Sequence, residues 1–230
     1  MGWYYEGDSG DSSVKVLYLS QPDSGLRREV WFSEDASNQK RVEEYKKYLT
    51  KLHENNGLSP EEAGVTVARV TDMMKDLASS TLKIEEVYDP EKTYNVCTAG
   101  EAANLYSSAL PFRLLNSIFG IQEGEKTVVS QPDACRKLGS YLKEENLPLL
   151  KEYVKTCLYS DLSMMTDTAS LDAAQEYQTA AGGIEKKKDF ERTVSETVQE
   201  NLVSSAAVYS VKPILTRTPN RMWLPSSGKS

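Results

Sequence analysis

Apolar residues in this chain first follow a strand-like pattern and then recur at steps of three and four. Near the N-terminus, Val14-Lys15-Val16-Leu17-Tyr18-Leu19 and Leu26-Arg27-Arg28-Glu29-Val30-Trp31-Phe32 are rich in β-branched and aromatic residues, the composition of strands. Between them, Ser20-Gln21-Pro22-Asp23-Ser24-Gly25 carries the Pro-Asp and Ser-Gly pairs of a turn. A β-hairpin over residues 14–32 is expected. An isolated hairpin is marginal in water, so this one must pack on something.

From Ser33 the period becomes helical. Val42, Tyr45, Leu49 and Leu52 recur at helical spacing, and Asn55-Asn56-Gly57 ends the run. Ser59-Pro60-Glu61-Glu62 supplies an N-cap, a proline in the first turn and the capping-box acid. Behind it Val67, Val70, Met73, Met74 and Leu77 line one face. Residues 79–97 read as a short strand or an extended connection with a turn at Asp89-Pro90. Thr98 and Glu101 form a second capping box for a helix through Ala109. Pro111 breaks that helix, and a short apolar helix, Phe112 to Phe119, follows. Ser130-Gln131-Pro132-Asp133 opens a helix to about Glu145. Leu149, Leu150, Tyr153, Val154, Cys157 and Leu158 mark the next, and another starts near Ala169 and stops at Gly182-Gly183. Over 184–209, Phe190, Val194, Val198, Leu202 and Ala206 are four apart. Such a stripe winds around the helix, which suits a helix crossing a bundle, not a zipper.

The expected fold is mainly α, with an N-terminal β-hairpin packed on a multi-helix bundle and extended terminal arms. Residues 1–13 form a flexible acidic aromatic arm, 14–32 the hairpin, 33–209 the helical domain, and 210–230 a basic, proline-containing C-terminal arm. Trp3, Tyr4 and Tyr5 tip the first arm; Met222, Trp223 and Leu224 form an apolar knot in the last. Large aromatics in flanking arms are typical interface anchors. The arms carry opposite charges, so each arm either folds back on its own domain or docks on a neighbouring subunit.

Composition narrows the classes. The 230 residues suit one large domain or two small ones. A net charge of −7 argues against a broadly basic nucleic-acid binder, while leaving a local strip from Arg113, Lys212, Arg217 and Arg221 open to RNA, DNA or another anion. Met1-Gly2-Trp3-Tyr4-Tyr5-Glu6 has no basic region or apolar stretch of a secretory signal. No apolar run approaches the ~18 residues of a membrane span. The expectation is a cytoplasmic protein (host cytoplasm or virion if viral) with no membrane partner.

Catalytic signatures are sparse. His53 is the one histidine, and its place at a helix C-terminus reads as a solvated cap residue. Cys97, Cys135 and Cys157 lack CxxC spacing and read as reduced core thiols. No phosphate-binding loop, zinc-protease HExxH, nucleophile elbow or EF-hand loop is present. Catalytic, cofactor and metal sites are therefore all expected to be absent. The leading expectation is a non-enzymatic structural or assembly subunit that self-associates through its arms, of viral coat or nucleoprotein type. An adaptor or assembly chaperone with one protein partner is the alternative, and a nucleic-acid-binding module the second.

Overall fold

The computed structural model describes residues 2–106, 120–182 and 189–196. It is mainly helical with a small sheet against the helices, as expected.

The hairpin exists, one strand earlier than the sequence suggested. Strand β1 (Trp3–Gly7) pairs antiparallel with β2 (Lys15–Leu19), Trp3 opposite Leu19 and Gly7 opposite Lys15. The loop between them is closed by Asp8 N–H donating to Val14 O at 2.9 Å. The expected second strand over 26–32 is instead a helical turn, α1 (Arg28–Trp31). Leu26 and Val30, four apart, are both buried beside Trp31, as one face of a helical turn would be. The Trp31 indole N–H donates to Ser24 O at 2.8 Å and holds the turn in place.

On its other side β2 runs parallel to β4 (Lys126–Val129), with Leu17 opposite Thr127 and Leu19 opposite Val129. β3 (Asn95–Thr98) pairs antiparallel with β4, giving the order β1-β2-β4-β3. β3 falls at the end of the stretch 79–97 read as a short strand or an extended connection, whereas β4 falls within the segment assigned to the helical domain. Parallel partners need a long crossover, and the helices between β2 and β4 supply it.

Helix α2 (Ala36–Asn55) starts at Asp35, whose carboxylate accepts from Ser37 N–H at 2.8 Å, and ends before Gly57, where φ is +97°. Helix α3 (Pro60–Ala78) has the full capping box between Ser59 and Glu62. Its stripe of Val67, Val70, Met73, Met74 and Leu77 is buried, and each such side chain contributes about 1.5–3 kcal/mol. Residues 79–89 form turns and no strand. Asp89 then caps the single turn α4 (Pro90–Thr93), and Thr98 with Glu101 caps α5 (Ala99–Asn104). Helix α6 (Pro132–Tyr141) stops short of the expected Glu145, and a 3-10 turn (Glu144–Asn146) follows it. The last long elements are α7 (Leu147–Thr166) and α8 (Thr168–Gly182).

The core lies where α2, α3, α7 and α8 meet around Leu49, Leu52, Met74 and Leu77. An aromatic group closes one side: Tyr48 stacks on Tyr177 with ring centroids 5.2 Å apart, and Tyr45 meets Trp31 edge-on at 6.3 Å. Leu19 and Val129 join the sheet to this core. Of the helix expected over 184–209, residues 190–196 are helical. Residues 184–188 and 197–209, the break at Pro111 and the arm over 210–230 lie outside the described residues.

Candidate functional site

The three aromatic residues expected at the tip of a free arm sit on the edge strand β1. Trp3 is half-buried against the core, and its indole N–H is enclosed without a hydrogen-bond partner among the described residues. The Tyr4 ring stacks on Tyr18 at 5.7 Å, with the planes 12° apart. The Tyr5 hydroxyl donates to Glu125 Oε1 at 2.5 Å, and this bond to a carboxylate raises its pKa to about 12. The arm therefore seats on its own domain.

Asp8 fastens the β1–β2 loop. It is buried, is ion-paired with Lys126 on β4, accepts from the Tyr94 hydroxyl, and accepts from Gly10 N–H at 3.0 Å. Lys126, then Tyr94, then the Gly10 amide hold its pKa down at about 2. This is a structural clamp: each of these polar groups is taken up by another in the cluster. The other expected contacts, Met222, Trp223, Leu224, Arg113, Lys212, Arg217 and Arg221, lie outside the described residues.

His53 corrects its reading as a solvated cap. It is 1% exposed, and its ring meets Tyr159 edge-on at 5.3 Å. Its Nε2 lies 2.8 Å from Thr156 Oγ1. Thr156 donates its own hydroxyl proton to Glu152 O at 2.7 Å, so the histidine N–H is the donor in the pair. Burial lowers the His53 pKa, against a raising influence of Glu152. The three thiols form no disulfide, and all belong to the core cluster or pack against it. Cys135 is buried and accepts from the Tyr106 hydroxyl at 3.2 Å; burial raises Cys97, and pushes Cys157 up to about 12. These are core thiols, not activated nucleophiles. Among the described residues, no three His, Cys, Asp or Glu side chains converge as metal ligands.

Surface cavities open among the described residues. One, of about 440 Å³, opens between the loops 21–29 and 81–88. Two of its charged residues are engaged: Arg28 donates to Ser79 O and Thr81 O, and Glu29 Oε1 accepts from Ile84 N–H at 2.9 Å. The second, about 340 Å³, is lined by Tyr4, Tyr18, Tyr94 and Pro90. Neither brings a nucleophile against a base.

The feature that periodicity did not resolve is on α7. Tyr153 is buried and Leu149, Leu150 and Cys157 are half-buried against the core, whereas Val154 and Leu158 are exposed. The signal was present, because this helix is apolar on more than one face.

Comparison with known proteins places this geometry. The N-terminal model described as Peptidase family M13 matches residues 1–213. Endothelin-converting enzyme 1 of mouse is 27% identical over 189 residues, covering 80% of this chain and 24% of that protein. The human enzyme matches with the same identity and coverage. Among solved structures, the zinc metalloprotease Zmp1 of Mycobacterium tuberculosis in its open state superposes with a TM-score of 0.76 at 18% identity, over 90% of this chain and 33% of that one. PepO of Lactobacillus rhamnosis HN001 gives 0.68 at 16% identity, over 86% and 32%. The chain thus spans about a quarter of the curated relatives and a third of the structural neighbours.

The family match overturns the expectation of a non-enzymatic assembly subunit of viral coat or nucleoprotein type, together with its adaptor, chaperone and nucleic-acid alternatives. The missing catalytic motifs are those of this chain, which spans a minor part of its relatives. The donors described here do not fit the zinc named for Zmp1: structural and catalytic zinc sites use at least three converging protein ligands. The one histidine is buried against Thr156, and among the described residues no three His, Cys, Asp or Glu side chains come together.

Proposed function

Because the chain belongs to peptidase family M13, we propose that it is the non-catalytic helical portion of a zinc-dependent peptidase, completed by the remainder of the M13 fold. Zinc-protease HExxH sites need two histidines four apart, and this chain has one. The metal ligands and the general base therefore come from elsewhere in the fold, and no step of hydrolysis is assigned to these residues. What they contribute is a rigid body: a helical core with a sheet clamped to it by Asp8, Lys126 and Tyr94. The observation that carries the reading is the family match over residues 1–213.

The test compares the chain alone with the chain supplied together with the rest of the fold. Alone, after dialysis, it retains no stoichiometric zinc and cleaves no quenched fluorogenic peptide. Completed, it cleaves peptide, loses this activity to a zinc chelator and regains it with added zinc. Stoichiometric zinc on the chain alone, or a completed protein that cleaves nothing, would sink the reading.

A further inference from the structure

On α7, Leu147, Val154, Leu158, Leu162 and Met165 are each between 36% and 60% exposed. At 3.6 residues per turn these five project within an arc of about 80°, with Lys151 in the same arc. The steps 147, 151, 154, 158, 162, 165 are all four or three, so the stripe stays on one face of the helix, as a surface that meets another helix does. The stripe is roughly 27 Å long at 1.5 Å per residue. The opposite side of α7, through Tyr153, Thr156 and Ser163, is buried against α2, α3 and α8. One helix therefore carries two apolar faces, of which the described residues cover one.

Scattered exposed apolar residues need no explanation, but a contiguous stripe of this size marks an interaction surface. We propose that the outer face of α7 is the seat of a helix from the remaining part of the M13 fold, one that presents an apolar stripe and a carboxylate opposite Lys151. This rests on the reading above. The described chain corresponds to 24% of its curated relatives and 33% of a structural neighbour, so most of the fold lies outside it and is available as cover. The carboxylate is specified because Lys151 is exposed within the stripe and makes no ion pair among the described residues. Enclosing an ammonium in an apolar seam without a partner would be costly.

Thiol labelling tests the surface directly. Leu158→Cys, and separately Val154→Cys in case the first perturbs folding, are treated with a maleimide reagent, and the native cysteines are corrected for with the unsubstituted chain. In the 230-residue chain the new thiol reacts at the rate of an exposed cysteine at every protein concentration. In the completed M13 protein its rate falls at least tenfold. Equal rates in both forms overturn the proposal. Slow labelling of the shorter chain also overturns it: concentration-dependent protection shows a second copy on the stripe, and concentration-independent protection shows another segment of this chain. Peptide cleavage by the unsubstituted completed protein is measured separately, so cleavage with an unprotected stripe rejects the interface and leaves the peptidase reading standing.

Discussion

His53 on α2 donates its Nε2–H to the hydroxyl of Thr156 on α7 across 2.8 Å, and Thr156 passes a hydrogen bond on to Glu152 O. The pair ties the two helices at the centre of the bundle. Thr156→Val keeps the shape and removes the acceptor, leaving a buried N–H unmatched. Chemical denaturation should show a loss of about 1–3 kcal/mol, with the helical circular dichroism of the native state unchanged.

The same histidine sets an acid limit on stability. Burial lowers its folded pKa below the ordinary value of 6.5, with Glu152 and Lys155 the charged groups that act on it in opposite senses. Between the lowered value and 6.5 the unfolded chain binds more protons, so stability rises with pH there. The contribution is complete above 6.5 and is lost as pH falls through the folded value. His53→Gln should flatten this part of a stability–pH profile; an unchanged slope between neutral pH and the folded pKa would contradict the account.

Two glycines should respond to alanine in opposite directions. A Cβ at Gly139 on α6 would stand 2.2 Å from the Tyr106 carbonyl oxygen and 2.5 Å from its carbon, both backbone atoms. Gly139→Ala must displace α6 or the turn after α5 that carries Tyr106, at a cost near the upper end of overpacking, about 3 kcal/mol. Gly64, inside α3, has nothing within 4 Å of such a carbon. Gly64→Ala should stabilise by about 0.5–1 kcal/mol through helix propensity alone. Thermal melts of both variants check the pair.

Asp8 should act at much lower pH. Its pKa is held at about 2, beneath the ordinary 3.8, first by Lys126 and next by Tyr94. A lowered carboxylate contributes stability that is fully present above 3.8 and disappears as pH falls through about 2. Wild type should therefore melt above Asp8→Asn at neutral pH, and the gap should close towards pH 2. A gap that persists in strong acid would mean that the carboxylate charge is not what holds the loop.

Local signals carried much of the fold into the sequence. Ser59 and Thr98 with their acids at the third position marked true helix starts, Gly57 a true stop, and Val67 to Leu77 a true buried face. These features depend on residues within a turn or two of one another, where steric and hydrogen-bonding rules act directly. The strand partners were not legible. β2 joins β1 on one side and β4 on the other, and the second pairing links residues more than 100 positions apart. A run such as Leu26 to Phe32 satisfies strand composition and helical spacing alike, and packing under Trp31 chose the helix.

The chemistry divides the same way. With a single histidine, the sequence holds no HExxH pair. Membership of peptidase family M13 is carried by no such motif and rests on similarity over residues 1–213. Nor could spacing say which apolar face of α7 is covered, or that His53 is buried and not wet. Backbone conformation answers mainly to near neighbours along the chain; burial is set by what distant segments bring against a side chain once the whole has folded.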